Sequence, residues 1–172
     1  MFMGMIGNYC KITPDQFHSL KNGQVAVSEF LYSDNHVLED DLLDIDKAWD
    51  CIHFALTGKG TADLVEPELE MSPMYQIIMG GQDISDEDIG YGSARYLTPK
   101  EVKACHQTIE HITEHDFKTR VTAEQLVEHQ IYPLSDQANE DFIPYAYEYF
   151  RDVQAFFEQA DTEEKYMLLY IN

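Results

Sequence analysis

Runs of residues typical of β-strands stand at both ends of the chain, and the segments between them are mostly helical in pattern. The first run covers residues 4–12 and the second covers Tyr166–Ile171. The second run is most simply paired with the first, so both ends are expected in one sheet. Few strands among many helices are typical of the α+β class. We therefore predict one helix-rich α+β domain over residues 1–172, with a small, mainly antiparallel sheet that includes the N- and C-terminal strands.

The clearest helical pattern runs from Leu42 to Leu56 and ends at Thr57-Gly58. On a helical wheel, one side of this segment carries Ile45, Trp49, Ile52 and Leu56. This apolar stripe predicts a helix whose indole faces the core. Two acids of the same segment, Asp46 and Asp50, are expected to remain near water.

Capping residues and prolines in the sequence indicate where the other helices begin. Thr13, Ser72, Thr98 and Thr122 each precede a Pro or stand in a capping box, which indicates helix starts at these four positions. Aromatic residues at helical spacing predict the longest helix over residues 140–160. The acidic residues 82–92, flanked by glycines, are expected to form a surface loop.

The formal net charge of −21 limits the partners that such a chain can attract. Residues 29–92 contain sixteen acids and two bases, Lys47 and Lys59. Such a field repels nucleic acid and anionic membranes and attracts basic partners. Solubility alone would also explain the charge.

The lack of recognisable targeting signals and the pattern of cysteines indicate the compartment of the protein. No run approaches the ~20 apolar residues of a membrane-spanning helix, and the first residues do not resemble a signal peptide. The three cysteines form no C-x-x-C pair, as expected of free thiols in a reducing cytoplasm. We expect a cytoplasmic protein that does not associate with membranes.

Two groups of residues are candidates for chemistry. Asp46, Asp50 and His53 share one flank of the Trp49 helix, where carboxylates can orient a histidine or bind a metal. The alternative is a structural role, with acids favouring a helix N-terminus and His53 packed at a core edge. Arg95 is the only base between Lys59 and Lys100. It either pairs with neighbouring carboxylates or receives an anionic ligand.

One motif has the spacing of a metal site but not the helical placement that such a site needs. His111 to His115 reads H-x-x-E-H, the inverted zinc-protease pattern. Both histidines fall opposite the apolar face of their predicted helix, so they are expected to point to solvent. Phosphate-binding loops, nucleophile elbows and dinucleotide fingerprints are missing from the sequence. We therefore expect no cofactor and no metal, and binding rather than catalysis.

Several segments carry a resemblance to a known family. They are Gly4–Gly7, Leu43–Asp50 with the following Ile52-His53 and Leu56–Gly58, Gly90–Thr98, Ile131–Pro133 and the C-terminal strand. With these, the chain resembles the YfbM-like family of bacterial proteins, a domain of unknown function, over nearly its whole length. Ser93 departs from the pattern, since many relatives are expected to carry Pro there. The resemblance implies a compact α+β domain of a bacterial cytoplasm and transfers no catalytic residue.

Three functional hypotheses remain. In the first, the acidic segment 29–92 captures a basic protein, as an inhibitory or immunity-like partner does. In the second, a small enzyme or ligand-binding domain has its site where the helix of Trp49 meets a loop. That site comprises Asp46, Trp49, Asp50, His53, Tyr91, Arg95 and Tyr96. In the third, the carboxylates mimic nucleic acid for a DNA-binding protein.

Overall fold

A five-stranded antiparallel sheet runs through the computed structural model, which describes residues 4–33, 37–134 and 137–172. Its strands are β1 (Gly7–Ile12), β2 (Leu42–Asp44), β3 (Gln82–Asp88), β4 (Ser93–Leu97) and β5 (Tyr166–Ile171). Their order across the sheet is β2-β1-β5-β4-β3. The predicted pairing of the chain ends is confirmed, because β1 and β5 are neighbours in a register that runs from Gly7 opposite Ile171 to Ile12 opposite Tyr166.

Helices cover both faces of this sheet. They are α1 (Pro14–Lys21), α2 (Val27–Tyr32), α3 (Trp49–Thr57), α4 (Pro67–Glu70), α5 (Pro73–Met79), α6 (Pro99–Ile109), α7 (Glu114–Thr119), α8 (Ala123–Glu128) and α9 (Phe142–Thr162). Two short 3₁₀ turns, Glu39–Asp41 and Asp46–Ala48, flank β2. This arrangement confirms the predicted α+β class. No helix in the ranges that the model describes is long and apolar enough to cross a membrane.

The core lies on both sides of the central strand. In β5, Met167 and Leu169 join a large apolar cluster with α3 and α5–α9, whereas Leu168 and Tyr170 join a smaller one with α1 and α2. Successive residues of a strand point to opposite faces, so a strand covered on both sides reads as a continuous apolar run. The near-continuous apolar sequence of β5 therefore follows from its central position.

The predicted helix starts are correct. Thr13, Thr98 and Thr122 form complete capping boxes at α1, α6 and α8, and the Ser72 hydroxyl accepts a hydrogen bond from the backbone N–H of Tyr75 at α5. Each cap satisfies donors that the first turn of a helix leaves free. The longest helix is α9, close to the predicted bounds.

The predicted helix over residues 42–56 is wrong in its first half. Leu42–Asp44 forms β2 beside β1, and α3 begins only at Trp49. The Asp44 carboxylate accepts a hydrogen bond from the Asp46 backbone N–H, and Asp46 has φ of 47°. That left-handed conformation is open to Asp and interrupts a helix. The apolar stripe itself is confirmed, because Ile45, Trp49, Ile52 and Leu56 are all buried.

Two further predictions need correction. Residues 82–88, expected in a loop, form the edge strand β3, which buries Ile84 and turns acids such as Asp86 to solvent. Charged side chains are a usual protection of a sheet edge against further pairing. Asp50, expected near water, is only 2% exposed.

Candidate functional site

Asp46 lies on the surface, at the turn between β2 and α3. Its Oδ2 accepts a hydrogen bond of 2.6 Å from the hydroxyl of Tyr145 on α9. The adjacent Asp44, the last residue of β2, is exposed. The turn therefore carries two carboxylates close to the N-terminal half of the longest helix.

Two tyrosines of α9 meet these acids. The rings of Tyr145 and Tyr149 are edge to face with their centroids 5.1 Å apart, and both side chains are half-buried. Burial raises the pKa of Tyr149, and so do the charges on Asp46, Asp44 and Asp152. Burial and the hydrogen bond to Asp46 also raise the pKa of Tyr145. We call this group of five residues the tyrosine–carboxylate face.

The tyrosine–carboxylate face has the chemistry of a cation site. Within the ranges that the model describes, Asp44, Asp46 and Asp152 form no ion pair. Aromatic rings and carboxylates together attract guanidinium and ammonium groups, because ring faces carry negative potential. The arrangement can therefore bind an Arg or Lys side chain from outside.

Trp49 is a structural anchor. It is 4% exposed, and its Nε1–H donates to the Met5 carbonyl oxygen over 3.0 Å. Its ring stacks on that of Tyr132 at 5.6 Å. The indole thus holds the segment before β1 and the loop after α8 against α3.

Asp50 also joins separate parts of the chain. Its Oδ1 accepts the Thr61 backbone N–H at 3.0 Å, and its Oδ2 accepts that of Tyr132 at 2.9 Å. Burial raises the pKa of Asp50, and the two backbone hydrogen bonds oppose that shift. The carboxylate fixes two loops to α3 and has no open side for a ligand.

His53 is fully buried one turn further along α3. Neither of its ring nitrogens has a hydrogen-bond partner among the residues that the model describes. Its ring meets that of Tyr75 on α5 edge to face at 5.1 Å. Burial lowers the pKa of His53 to about 4, so its imidazole is neutral at pH 7.

Arg95 extends from β4 on the sheet face that carries α5. Its Nη1 donates to the carbonyl oxygen of Met79, the last residue of α5, at 3.2 Å. Its Nε lies 3.5 Å from Oδ1 of Asp83, which is opposite it on β3. Arg95 therefore pairs with a neighbouring carboxylate, as the first alternative predicted, and the second alternative, an anionic ligand, stays a prediction.

Two cavities meet at Arg95. The larger, of about 460 Å³, is here called the Arg95 cleft. Its polar lining consists of Glu70, Tyr75, Gln76, Gln82, Arg95 and Glu101. The smaller, of about 220 Å³, includes Asp83, Tyr91 and Ile171. Arg95 and Tyr91 therefore line a common cavity.

The other predicted site residues lie elsewhere. Tyr96 points to the opposite sheet face, where its ring contacts Phe17 at 4.9 Å. Asp46, Trp49, Asp50 and His53 line neither cavity at Arg95. Tyr75 links the two predicted blocks, because its ring contacts that of His53 and its side chain lines the Arg95 cleft. Tyr75 was not among the predicted site residues, because nothing in its local sequence pattern distinguishes it from a core tyrosine.

The potential metal ligands of the described residues form no cluster of three or more, and the cysteine thiols are buried. No group of three or more His, Cys, Asp or Glu side chains in residues 4–33, 37–134 and 137–172 is arranged to hold a metal ion. His111 and His115 are exposed, and His111 lies in the turn after α6 whereas His115 belongs to α7. Burial raises the pKa of Cys10, Cys51 and Cys105 to about 12, so their thiols stay protonated at pH 7.

Comparisons with known proteins agree with this fold. Residues 3–170 match the family model described as "Domain of unknown function (DUF1877)". The chain is 27% identical to protein YfbM of Escherichia coli (strain K12) over 136 residues, which span 76% of this chain and 74% of YfbM. The crystal structure of YfbM, titled a protein of unknown function, matches with a TM-score of 0.73 at 20% identity. The match covers 97% of this chain and 99% of that one, and it shows a shared fold.

Proposed function

The chain belongs to the DUF1877 family, a domain of unknown function, and we propose that it is a binding protein that recognises a basic protein partner. The single observation that carries this proposal is the tyrosine–carboxylate face. There, Asp46 accepts a hydrogen bond from one of two half-buried tyrosines, and burial and the charges of Asp46, Asp44 and Asp152 raise the pKa of the other. An Arg or Lys side chain of a partner would meet both the ring faces and the carboxylates.

The wider surface supports the same proposal. Exposed acids that form no ion pair in the described ranges include Glu39, Asp40, Glu66, Glu68 and Asp86. Unpaired surface charge acts over about 8 Å at physiological salt and raises the rate at which basic partners arrive. The face would then supply the contacts that fix the partner in place.

Solubility explains the total charge but not the composition of this face. Dispersed acids are sufficient to keep a domain in solution. Tyrosine, by contrast, is enriched at protein interfaces because it combines a large apolar ring with a hydroxyl group. Tyr145 and Tyr149 beside three acids therefore favour recognition of a cationic group over mere solvation.

An NMR titration of the ¹⁵N-labelled chain tests the proposal. The ligand is an oligo-arginine peptide, and an oligo-citrulline peptide of equal length is the uncharged comparison. We expect saturable shifts at residues 44–47 and 145–152 with oligo-arginine, which weaken as salt is raised, and none with oligo-citrulline.

Matched variants distinguish binding at the tyrosine–carboxylate face from attraction by the overall negative charge. The double variant Asp44→Asn/Asp46→Asn removes two charges from the face and should weaken binding roughly tenfold, about 1.4 kcal/mol. The control Glu66→Gln/Glu68→Gln removes two charges elsewhere and should weaken it much less. Equal losses in both variants would contradict the face as the binding site. No binding of oligo-arginine even at low salt would contradict recognition of a basic partner.

A further inference from the structure

The Arg95 cleft has the size and position of a small-molecule site. Its volume of about 460 Å³ lies within the range of ~300–1,000 Å³ usual for ligand pockets. It lies between the end of α5 and strand β4, and Arg95 connects it to the smaller cavity that Tyr91 lines. This region shares no residue with the tyrosine–carboxylate face.

The guanidinium of Arg95 is held in a fixed direction. Its Nη1 is bound to the Met79 carbonyl oxygen, and its Nε faces Asp83. A guanidinium has five N–H donors in a rigid fork, so donors remain for a ligand after these two contacts. A carboxylate is the natural partner of that fork.

Two carboxylates, those of Glu70 and Glu101, line the same cleft as Arg95. Oε2 of Glu101 already accepts the backbone N–H and the hydroxyl of Thr98 in the capping box of α6. Glu70, the last residue of α4, is exposed and forms no ion pair in the part of the chain that the model describes. An ammonium group entering the cleft would therefore face Glu70.

Tyr75 lines the same cleft as these opposite charges. The charge on Glu70 raises the pKa of Tyr75 in addition to the effect of burial, and the charge on Arg95 lowers it. The Tyr75 hydroxyl is thus within electrostatic reach of both groups. Its ring and the side chain of Met71 add apolar surface to the cleft wall.

We propose that the Arg95 cleft binds a small zwitterion of the α-amino acid type, with its carboxylate on Arg95 and its ammonium group on Glu70. A simple anion would meet Arg95 but also the nearby acids Glu70 and Asp83. A simple cation would meet Glu70 but also the guanidinium. Only a ligand with both charges pairs with both sides of the cleft.

A purely structural role for Arg95 explains less of the arrangement. The Arg95–Asp83 pair joins side chains that are 39% and 59% exposed, and such surface pairs contribute little to stability. The contact with Met79 uses only one donor of the guanidinium. Neither contact accounts for the unpaired Glu70 or for the cavity between it and Arg95.

An NMR experiment with the ¹⁵N-labelled full chain tests this site. The ligands are the common L-α-amino acids, added one at a time. For at least one of them we expect saturable shifts of the Gly80, Gly81 and Arg95 amides. The decarboxylated amine and the deaminated acid of that ligand should each bind at least about tenfold more weakly.

Charge-removing variants with a matched control complete the test. Arg95→Gln and Glu70→Gln should each weaken binding of the amino acid about tenfold or more. The control variants Arg151→Gln and Glu148→Gln remove an exposed ion pair of α9 outside the cleft and should leave it unchanged. Glu70 lies exposed on a one-turn helix, so Glu70→Gln remains a valid test if Arg95→Gln is poorly folded. The proposal is overturned if no amino acid gives saturable shifts, if either half-ligand binds as tightly, or if the control variants lose as much affinity.

Discussion

His53 should make the stability of the protein sensitive to mildly acidic pH. Its pKa is lowered by burial from 6.5 to about 4 in the folded chain. The nearby charge of Asp63 opposes this shift, and the aromatic contact with Tyr75 adds no charge. Because the unfolded chain takes up the proton near pH 6.5 and the folded chain only near pH 4, stability is complete above pH 6.5 and falls between these values.

The size of this effect follows from the two pKa values. At about pH 5 the unfolded state is mostly protonated at His53 and the folded state mostly is not, which costs about 2 kcal/mol. Below pH 4 the loss levels off at about 3 kcal/mol. That is a large part of the ~5–15 kcal/mol by which domains are usually stable.

The substitution His53→Leu removes the titrating group. Because neither imidazole nitrogen has a partner in the described ranges, the change leaves no donor or acceptor stranded. The variant should lose about 2 kcal/mol less than the wild type between pH 7.5 and pH 5. Losses from carboxylates occur in both proteins and cancel in this difference.

Urea unfolding at the two pH values measures the effect. Trp49 is the only tryptophan and is buried, so its fluorescence reports unfolding directly. The exposed His18 provides the control, and His18→Asn should behave as the wild type at both pH values. If wild type and His53→Leu lost the same stability on acidification, within about 0.5 kcal/mol, the reasoning from burial would be refuted.

Two further predictions concern buried polar groups. Asp50→Leu should lower the free energy of unfolding by about 2 kcal/mol or more, because it leaves the Thr61 and Tyr132 backbone N–H groups without their acceptor. Asp50→Asn keeps one acceptor oxygen and should cost less in the same urea unfolding assay; equal costs would contradict the role of the two hydrogen bonds. The three buried cysteines should react with a thiol reagent only after denaturation, and rapid labelling of the native protein would show that they are accessible.

The sequence predicted those parts of the fold that depend on near neighbours. The capping boxes at Thr13, Thr98 and Thr122 involve residues three positions apart, so each can be recognised without knowing the rest of the molecule. The apolar stripe of α3 is equally local. Its start was predicted too early, since β2 gains its conformation from pairing with β1, more than thirty residues away.

The candidate sites depended on contacts that no local pattern encodes. Asp46, Asp50 and His53 are close in sequence, yet one lies on the surface beside α9 and two are enclosed by distant loops and by α5. Tyr75 enters the Arg95 cleft because α5 ends against β4. Residue types at helical spacing therefore did not indicate which of these side chains would be enclosed and which would lie on the surface.

The contacts that each carboxylate makes distinguish the roles of the acids in this chain. A carboxylate that accepts backbone N–H groups, such as Asp50, is already engaged in holding loops together. A carboxylate that lines a cavity or meets half-buried tyrosines without a cation, such as Glu70 or Asp46, still has a favourable interaction to make. Since a net charge of −21 does not distinguish these cases, the binding sites must be inferred from how each acid is paired rather than from how many there are.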